Sequence, residues 1–192
     1  MESALFNITY GLYAVMTEKG GLIVNTVCQI TDDPKTVMVA VNKSNHSHDV
    51  IMQSGKMNVC TLTEDTPFSV IEKLGFKSGR DTDKLSTLAH WRSGNGLPVL
   101  RDNVCSFFSL EVIDYKDMGT HGMFICEVTE DKVITDARPL TYAYYRENIK
   151  PKPQSKGYVC RVCGYVYNGE PLPDDFICPI CKHGASDFEK ID

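Results

Sequence analysis

No stretch of the 192 residues is apolar for the roughly 20 positions that a membrane-crossing helix requires. No basic run appears, and the formal net charge is −5, so the electrostatic footprint of a nucleic-acid binder is missing. There is no G-x-G-x-x-G fingerprint, which argues against a separate dinucleotide-binding domain. Internal repeats and low-complexity tracts are also absent. Met1-Glu2-Ser3 begins no secretory signal. These absences point to a chain with no membrane and no nucleic-acid partner, expected in the reducing cytoplasm.

Cysteine is what the chain has in a telling pattern. Four of the eight cysteines form two C-x-x-C pairs, Cys160/Cys163 and Cys178/Cys181, separated by fourteen residues. Each pair places two thiolates on one turn, and two such turns facing each other make a tetrahedral sulfur cage. The spacing alone admits zinc or iron. Gly164 after Cys163 lets backbone N–H groups come close to the sulfurs. Tyr158, Tyr165, Tyr167, Phe176 and Phe188 crowd the same short segment, which is too small for a large apolar core, so metal and rings must hold it together. Cys28, Cys60, Cys105 and Cys126 are scattered singly among apolar residues and read as small buried hydrophobes.

Residues 157–192 resemble a rubredoxin. Cys160-x-x-Cys163-Gly164-Tyr165-Val166-Tyr167 matches the first knuckle, and Cys178-Pro179-x-Cys181 with Lys182 to Phe188-Glu189 matches the second. The stretch between the pairs is shorter than in free-standing rubredoxins, closer to the rubredoxin-like domains of rubrerythrins. The resemblance implies one iron per chain, cycling between ferrous and ferric states.

The length suits one medium domain and a small one. A boundary falls in the proline-containing segment Pro151-Lys152-Pro153-Gln154-Ser155-Lys156, which divides the chain into residues 1–150, a linker at 151–156 and residues 157–192. Segments 8–17, 22–30, 36–42, 57–62, 105–114 and 123–130 are rich in β-branched and aromatic residues and read as strands, with Glu18-Lys19-Gly20-Gly21 as a hairpin turn. Helices are predicted over 46–55 with Ser47 as cap, over 66–75 with Thr66 as cap and Pro67 at the first helical position, and near Thr82, carrying Lys84. The fold class is therefore mainly β with a few helices (α+β), and successive antiparallel strands suggest a closed barrel. Phe6, Tyr10, Tyr13, Trp91 and the tyrosines of 142–145 are expected to fill the core or close a subunit interface.

Asn42-Lys43-Ser44-Asn45-His46-Ser47-His48 leaves a strand and enters a helix, and the free N–H groups of a helix start make a natural phosphate seat. A polar loop with an ordinary helix cap explains the same residues. Order along the chain adds information. Asn25-Thr26-Val27-Cys28-Gln29, Asn42-Lys43-Ser44, Ser78-Gly79-Arg80-Asp81-x-Asp83-Lys84 and Gly119-Thr120-His121-Gly122, in that succession, resemble the flavin reductase-like family with its FMN-binding split barrel. That resemblance implies that Asn25, Thr26, Val27, Cys28 and Gln29 line the isoalloxazine ring. It further implies that Asn42, Ser44, Ser47 and His48 hold the ribityl chain and phosphate, with Lys84 as countercharge and His121 near the ring edge as the catalytic candidate. It also implies a homodimer.

A flavin takes two electrons as hydride and releases them singly, whereas a four-thiolate iron takes one. Together the two modules resemble the high-molecular-weight rubredoxins of anaerobic bacteria, of the NADH:rubredoxin oxidoreductase type. The implied flow runs from NADH or NADPH through FMN and iron to an acceptor such as a flavodiiron protein that reduces oxygen or nitric oxide. A flavin reductase with a structural zinc knuckle, and a non-enzymatic flavin-binding shuttle, remain open on the residues alone.

Overall fold

The computed structural model describes residues 4–80, 82–151 and 157–191. Residues 152–156 of the expected linker, Asp81 and the Phe6 side chain lie outside the described residues. The chain divides into two compact units, Met1–Ile149 and Lys150–Asp192.

After a 3₁₀ turn at Ala4–Asn7, the first unit runs β1 (Tyr13–Thr17), β2 (Gly20–Val24), β3 (Val27–Asp32), β4 (Lys35–Asn42), α1 (His46–Ser54), β5 (Lys56–Leu62), α2 (Phe68–Gly75), β6 (His90–Arg92), β7 (Pro98–Leu100), β8 (Val104–Asp117), β9 (His121–Val133) and the helical turn α3 (Tyr142–Tyr144), which passes into a π-helical turn at Tyr145–Ile149. Seven strands form one antiparallel sheet in the order β2-β1-β5-β8-β9-β4-β3. β2 and β3 follow one another in sequence yet lie at opposite edges. Laid flat, those edges would stand roughly 29 Å apart at about 4.8 Å per strand. The link from Val24 to Val27 spans at most roughly 11 Å. The sheet must therefore curl until its edges nearly meet. Ala40 N–H donates to Thr26 O (3.1 Å), tying the crossover to β4. Among the described residues no ladder pairs β2 with β3, so the barrel is split along that seam.

β1 and β5 are central and buried on both faces. Val15, Met57 and Val59 point into the barrel with Leu22, Val39, Val41, Leu110, Phe124 and Cys126, and α1 contributes Ile51 to that interior. Ala14, Met16, Cys60 and Leu62 point outward into a second cluster, covered by Ile71 and Leu74 of α2 and by Val99 and Leu100 of β7. Burying a side chain of the size of Ile71 or Leu74 is worth about 1.5–3 kcal/mol, enough to seat a two-turn helix. One polar residue shares this outer face: Asn58 is fully buried, but its amide donates to Ser93 Oγ (2.8 Å) and accepts from Asn95 Nδ2 (2.8 Å), which docks the β6–β7 hairpin.

The hairpin at Glu18–Lys19 forms as expected, with Thr17 opposite Gly20. Other expectations are corrected. Segment 22–30 is two strands, because Asn25–Thr26 turns the chain from one edge to the other. The helix near Thr82 is a set of turns. Ser47 lies inside α1, whose N-cap is Asn45 without a side-chain capping bond. Pro67 is the N-cap of α2, and the Thr66 hydroxyl instead donates to Thr63 O (2.7 Å). Cys60, Cys105 and Cys126 are buried as expected, but Cys28 is exposed because β3 is an edge strand with little packed on either face.

The second unit holds β10 (Gly157–Cys160), β11 (Val166–Tyr167) and β12 (Phe188–Ile191) in the antiparallel order β11-β10-β12. Its rings meet around Phe176, which lies 4.7 Å from Tyr167 and 5.3 Å from Phe188 between centroids.

Candidate functional site

The first site grows from the end of β4. Asn42 Oδ1 accepts from both the N–H and the hydroxyl of Ser44 (2.9 Å each), a tight turn that aims the chain into α1. The first N–H groups of a helix have no partner within it, and here the N-cap side chain supplies none. Ser47 and His48, in the first turn, are both buried. Antiparallel register sets His121 opposite Asn42 and Gly122 opposite Val41. Gly122 has to be glycine, since a Cβ there would fall 2.6 Å from His48 Nε2 and 2.5 Å from Tyr115 Cε2. The freed space lets His48 Nε2 approach the Tyr115 hydroxyl (3.2 Å) while its ring packs on Phe124. His48 Nδ1 is left buried with no hydrogen-bond partner, 3.6 Å from Asp49 Oδ1.

Cations gather at the same helix start. Arg80 reaches Asp49 Oδ2 (2.9 Å) and Ser44 O (3.4 Å). Gly79 lies between His46 and Lys84: a Cβ on it would stand 3.5 Å from His46 Cδ2 and 3.9 Å from Lys84 Cε. Lys84 itself is buried, its ammonium donating to Gly21 O (2.8 Å) and Leu74 O (2.6 Å), and burial lowers its pKa to about 8. The structure thus adds Tyr115 to the residues singled out from sequence, and gives roles to Arg80 and Gly122, which stood in the quoted motifs without one. The pairing of Arg80 with Asp49 across 31 positions left no local signal. Outside this cluster, Lys43 pairs with Asp117 (2.6 Å) and fastens the turn to the β8–β9 hairpin, and the pair raises the lysine and lowers the carboxyl.

The segment 25–29 divides between two places. Thr26 sits beside Ala40, so Asn25 and Thr26 lie toward the Asn42 end of β4, with the Thr26 hydroxyl donating to Asn25 Oδ1 (2.9 Å). Val27 and Gln29 face the other way along the strand and line a cavity of about 450 Å³ with Tyr13, Thr61, Phe108 and Val128. Burial raises the Tyr13 phenol above its ordinary value. Cys28, on the alternate face of β3, does not line this cavity. His121 is exposed, with Nδ1 2.9 Å from the Thr120 hydroxyl.

The second site is the sulfur cage. The Sγ atoms of Cys160, Cys163, Cys178 and Cys181 all lie within 4.8 Å of one another. Cys160 and Cys181 are 3.5 Å apart, and Cys163 and Cys178 3.4 Å. A tetrahedron with metal–sulfur bonds of about 2.3 Å has edges of about 3.8 Å, so the cage fits one such ion. Each knuckle closes in the same way, with Gly164 N–H donating to Cys160 O (2.7 Å) and Lys182 N–H to Cys178 O (3.0 Å). Gly164 (φ 78°) and Lys182 (φ 64°) both take the left-handed conformation that this turn demands. Burial raises Cys163, and pushes Cys181 up to about 11. For Cys160 burial acts upward, but N–H donors from Cys163 and Val162 bring it below its usual value. A cation among these sulfurs replaces protons they would otherwise share.

Residues 5–152 match the family described as flavin reductase like domain, and residues 158–189 match the rubrerythrin, rubredoxin-like domain. The chain is similar to a high molecular weight rubredoxin of Moorella thermoacetica, at 36% identity over 98% of both chains. It is also similar to a ferric-chelate reductase (NAD(P)H) of Archaeoglobus fulgidus, at 34% identity over 74% of this chain and 86% of the relative. Among solved structures, the flavin reductase PheA2 in its native state superposes with a TM-score of 0.61 and 27% identity, over 73% of this chain and 93% of the other. This chain therefore belongs to the flavin reductase-like family: an oxidoreductase that joins a flavin-binding split barrel to a rubredoxin-like iron site, in the two-module arrangement of the high-molecular-weight rubredoxins.

Proposed function

We propose that the chain takes electrons from NADH or NADPH onto FMN, passes them singly to its four-cysteine iron, and delivers them to a redox acceptor, a flavodiiron protein being the acceptor class put forward. FMN when bound accepts hydride and releases electrons one at a time, and the iron takes one. The observation that carries the reading is the buried Nδ1 of His48, without a hydrogen-bond partner, at the start of α1 that no side chain caps, with Arg80 and Lys84 close by. A helix start supplies N–H donors and positive potential to a phosphate. Ser44 and Ser47 add hydroxyls there, Asn42 orients Ser44, and Lys84, with two carbonyls already accepting, has one N–H left to offer. Asn25, Thr26 and Cys28 would flank the ring on the β3 edge, and His121 would stand at its rim opposite Asn42. Val27 and Gln29 are proposed to line the ring as well, from the cavity they form with Tyr13 and Phe108.

Two copies of the chain are proposed to pair, covering the exposed edge strand β3, whose unpaired backbone is otherwise a template for association. The acceptor is proposed to carry a basic docking patch, because residues 157–192 have three basic side chains against six acidic ones. No helix among the described residues is long and apolar enough to cross a membrane, and a reducing cytoplasm suits the exposed thiol of Cys28 and the cage. Anaerobic titration with NADH and then NADPH, followed by absorption, tests the reading. Flavin bleaching followed by loss of the ferric–thiolate bands is expected. A flavin that stays oxidised with both nucleotides removes the hydride step.

A further inference from the structure

Lys150 opens the second unit, upstream of both C-x-x-C turns and outside the rubredoxin-like match. Its side chain lies on the first knuckle. A Cβ on Gly164 would overlap Lys150 Nζ and Cε and stand 3.6 Å from Cδ, so the ammonium rests where residue 164 has no side chain, one residue past Cys163. The second knuckle differs. There Lys182 holds the equivalent left-handed position, and its own ammonium donates to Pro179 O (3.2 Å) within the turn. Each knuckle therefore carries an ammonium, one supplied by the turn itself and one brought in from the start of the unit.

Four thiolates around ferric iron carry a net charge of −1, and around ferrous iron −2. A cation held against the knuckle, at the residue after Cys163, favours the more negative state. We propose that Lys150 is a positioning residue of the iron site that raises its reduction potential, so that the segment leading from the barrel helps decide how readily electrons enter the cage. Gly164 serves this as the gap that admits the ammonium.

The proposal rests on iron being the resident metal, and the experiment separates the two. Iron-loaded full-length chain is compared with Lys150→Gln and Lys150→Arg by spectroelectrochemical titration of the ferric–thiolate absorption. Lys150→Gln is expected to move the ferric–ferrous equilibrium toward ferric by about tenfold, equivalent to about 59 mV downward for one electron, while Lys150→Arg stays within about twofold of the parent. An unmoved potential in Lys150→Gln, or an equal fall in Lys150→Arg, overturns the proposal. Loss of iron from Lys150→Gln also overturns it, because a residue that only tunes the potential is not needed to hold the ion. A parent chain that never shows ferric–thiolate absorption fails the iron reading instead.

Discussion

The two units solve the same problem of holding a chain together by opposite means. The barrel unit buries two apolar clusters, one inside the curled sheet and one beneath α2 and β7. In the second unit, the buried hydrophobic residues among those described are Cys160 and Cys178, two of the metal ligands themselves. Tyr165, Tyr167, Phe176 and Phe188 are only half-buried. A segment this short cannot remove enough apolar surface from water to offset its conformational entropy, so metal binding supplies the missing free energy. One unit is expected to fold without its cofactor, the other to depend on its own.

The most severe break in that comparison is Cys163→Ser. Removing one ligand is expected to abolish ferric–thiolate absorption and unfold the second unit, since structural metal sites contribute on the order of 10 kcal/mol. Reduction of FMN by NADH in a stopped-flow assay should remain within about twofold of the parent. Failure of both steps together would mean that the units are not separable. The reciprocal change is Gly122→Ala. Its methyl would overlap the His48–Tyr115 pair, and overpacking of this kind costs about 1–3 kcal/mol. A lower barrel melting temperature and weaker FMN retention, with an unaltered iron spectrum, are the expected results.

A smaller effect sharpens the electrostatics of the barrel. Lys84 falls from 10.5 to about 8 on folding because burial disfavours its charge. Between those values the folded chain binds fewer protons than the unfolded one, so Lys84 makes stability rise as pH climbs from about 8 to about 10.5. Urea denaturation across that window should show the rise, and Lys84→Met should flatten it relative to the parent. The smallest expected effect concerns thiols outside the cage. Burial pushes Cys60 and Cys126 up to about 12, while Cys28 is exposed. Iodoacetamide followed by mass spectrometry should reach Cys60 and Cys126 only on unfolding, whereas Cys28 should react in the folded chain freed of FMN and be shielded when FMN and a second copy cover β3.

Legibility in the sequence followed the range of the interactions. The Glu18–Lys19 hairpin, the glycine end of α1, and strands β4 and β5 depend on neighbours in the chain, and turn residues and β-branched density disclosed them. Segment 22–30 is uniformly strand-like, so nothing local revealed that Asn25–Thr26 sends its halves to opposite edges of a barrel. Ser47 reads as a cap because capping chemistry is local, but it lies buried in the first turn of α1, whose N-cap is Asn45. Nothing local shows that Lys84, placed by the sequence in a helix near Thr82, is buried, because its two carbonyl acceptors, Gly21 and Leu74, are 63 and 10 residues away. The same holds for Cys28, whose exposure follows from β3 being an edge.

By itself the sequence determined the four-sulfur cage, because its ligands come in pairs on two short turns and each turn needs only its own residues to form. It also determined that the chain is mainly β, through the density of β-branched and aromatic segments. Only the tertiary structure decided that His48, Tyr115 and Gly122 meet, that Arg80 reaches the start of α1, and that Lys150 lies on Gly164. Each of those contacts joins residues far apart in the chain, and their approach is set by how the sheet curls and how the knuckles close rather than by any local preference.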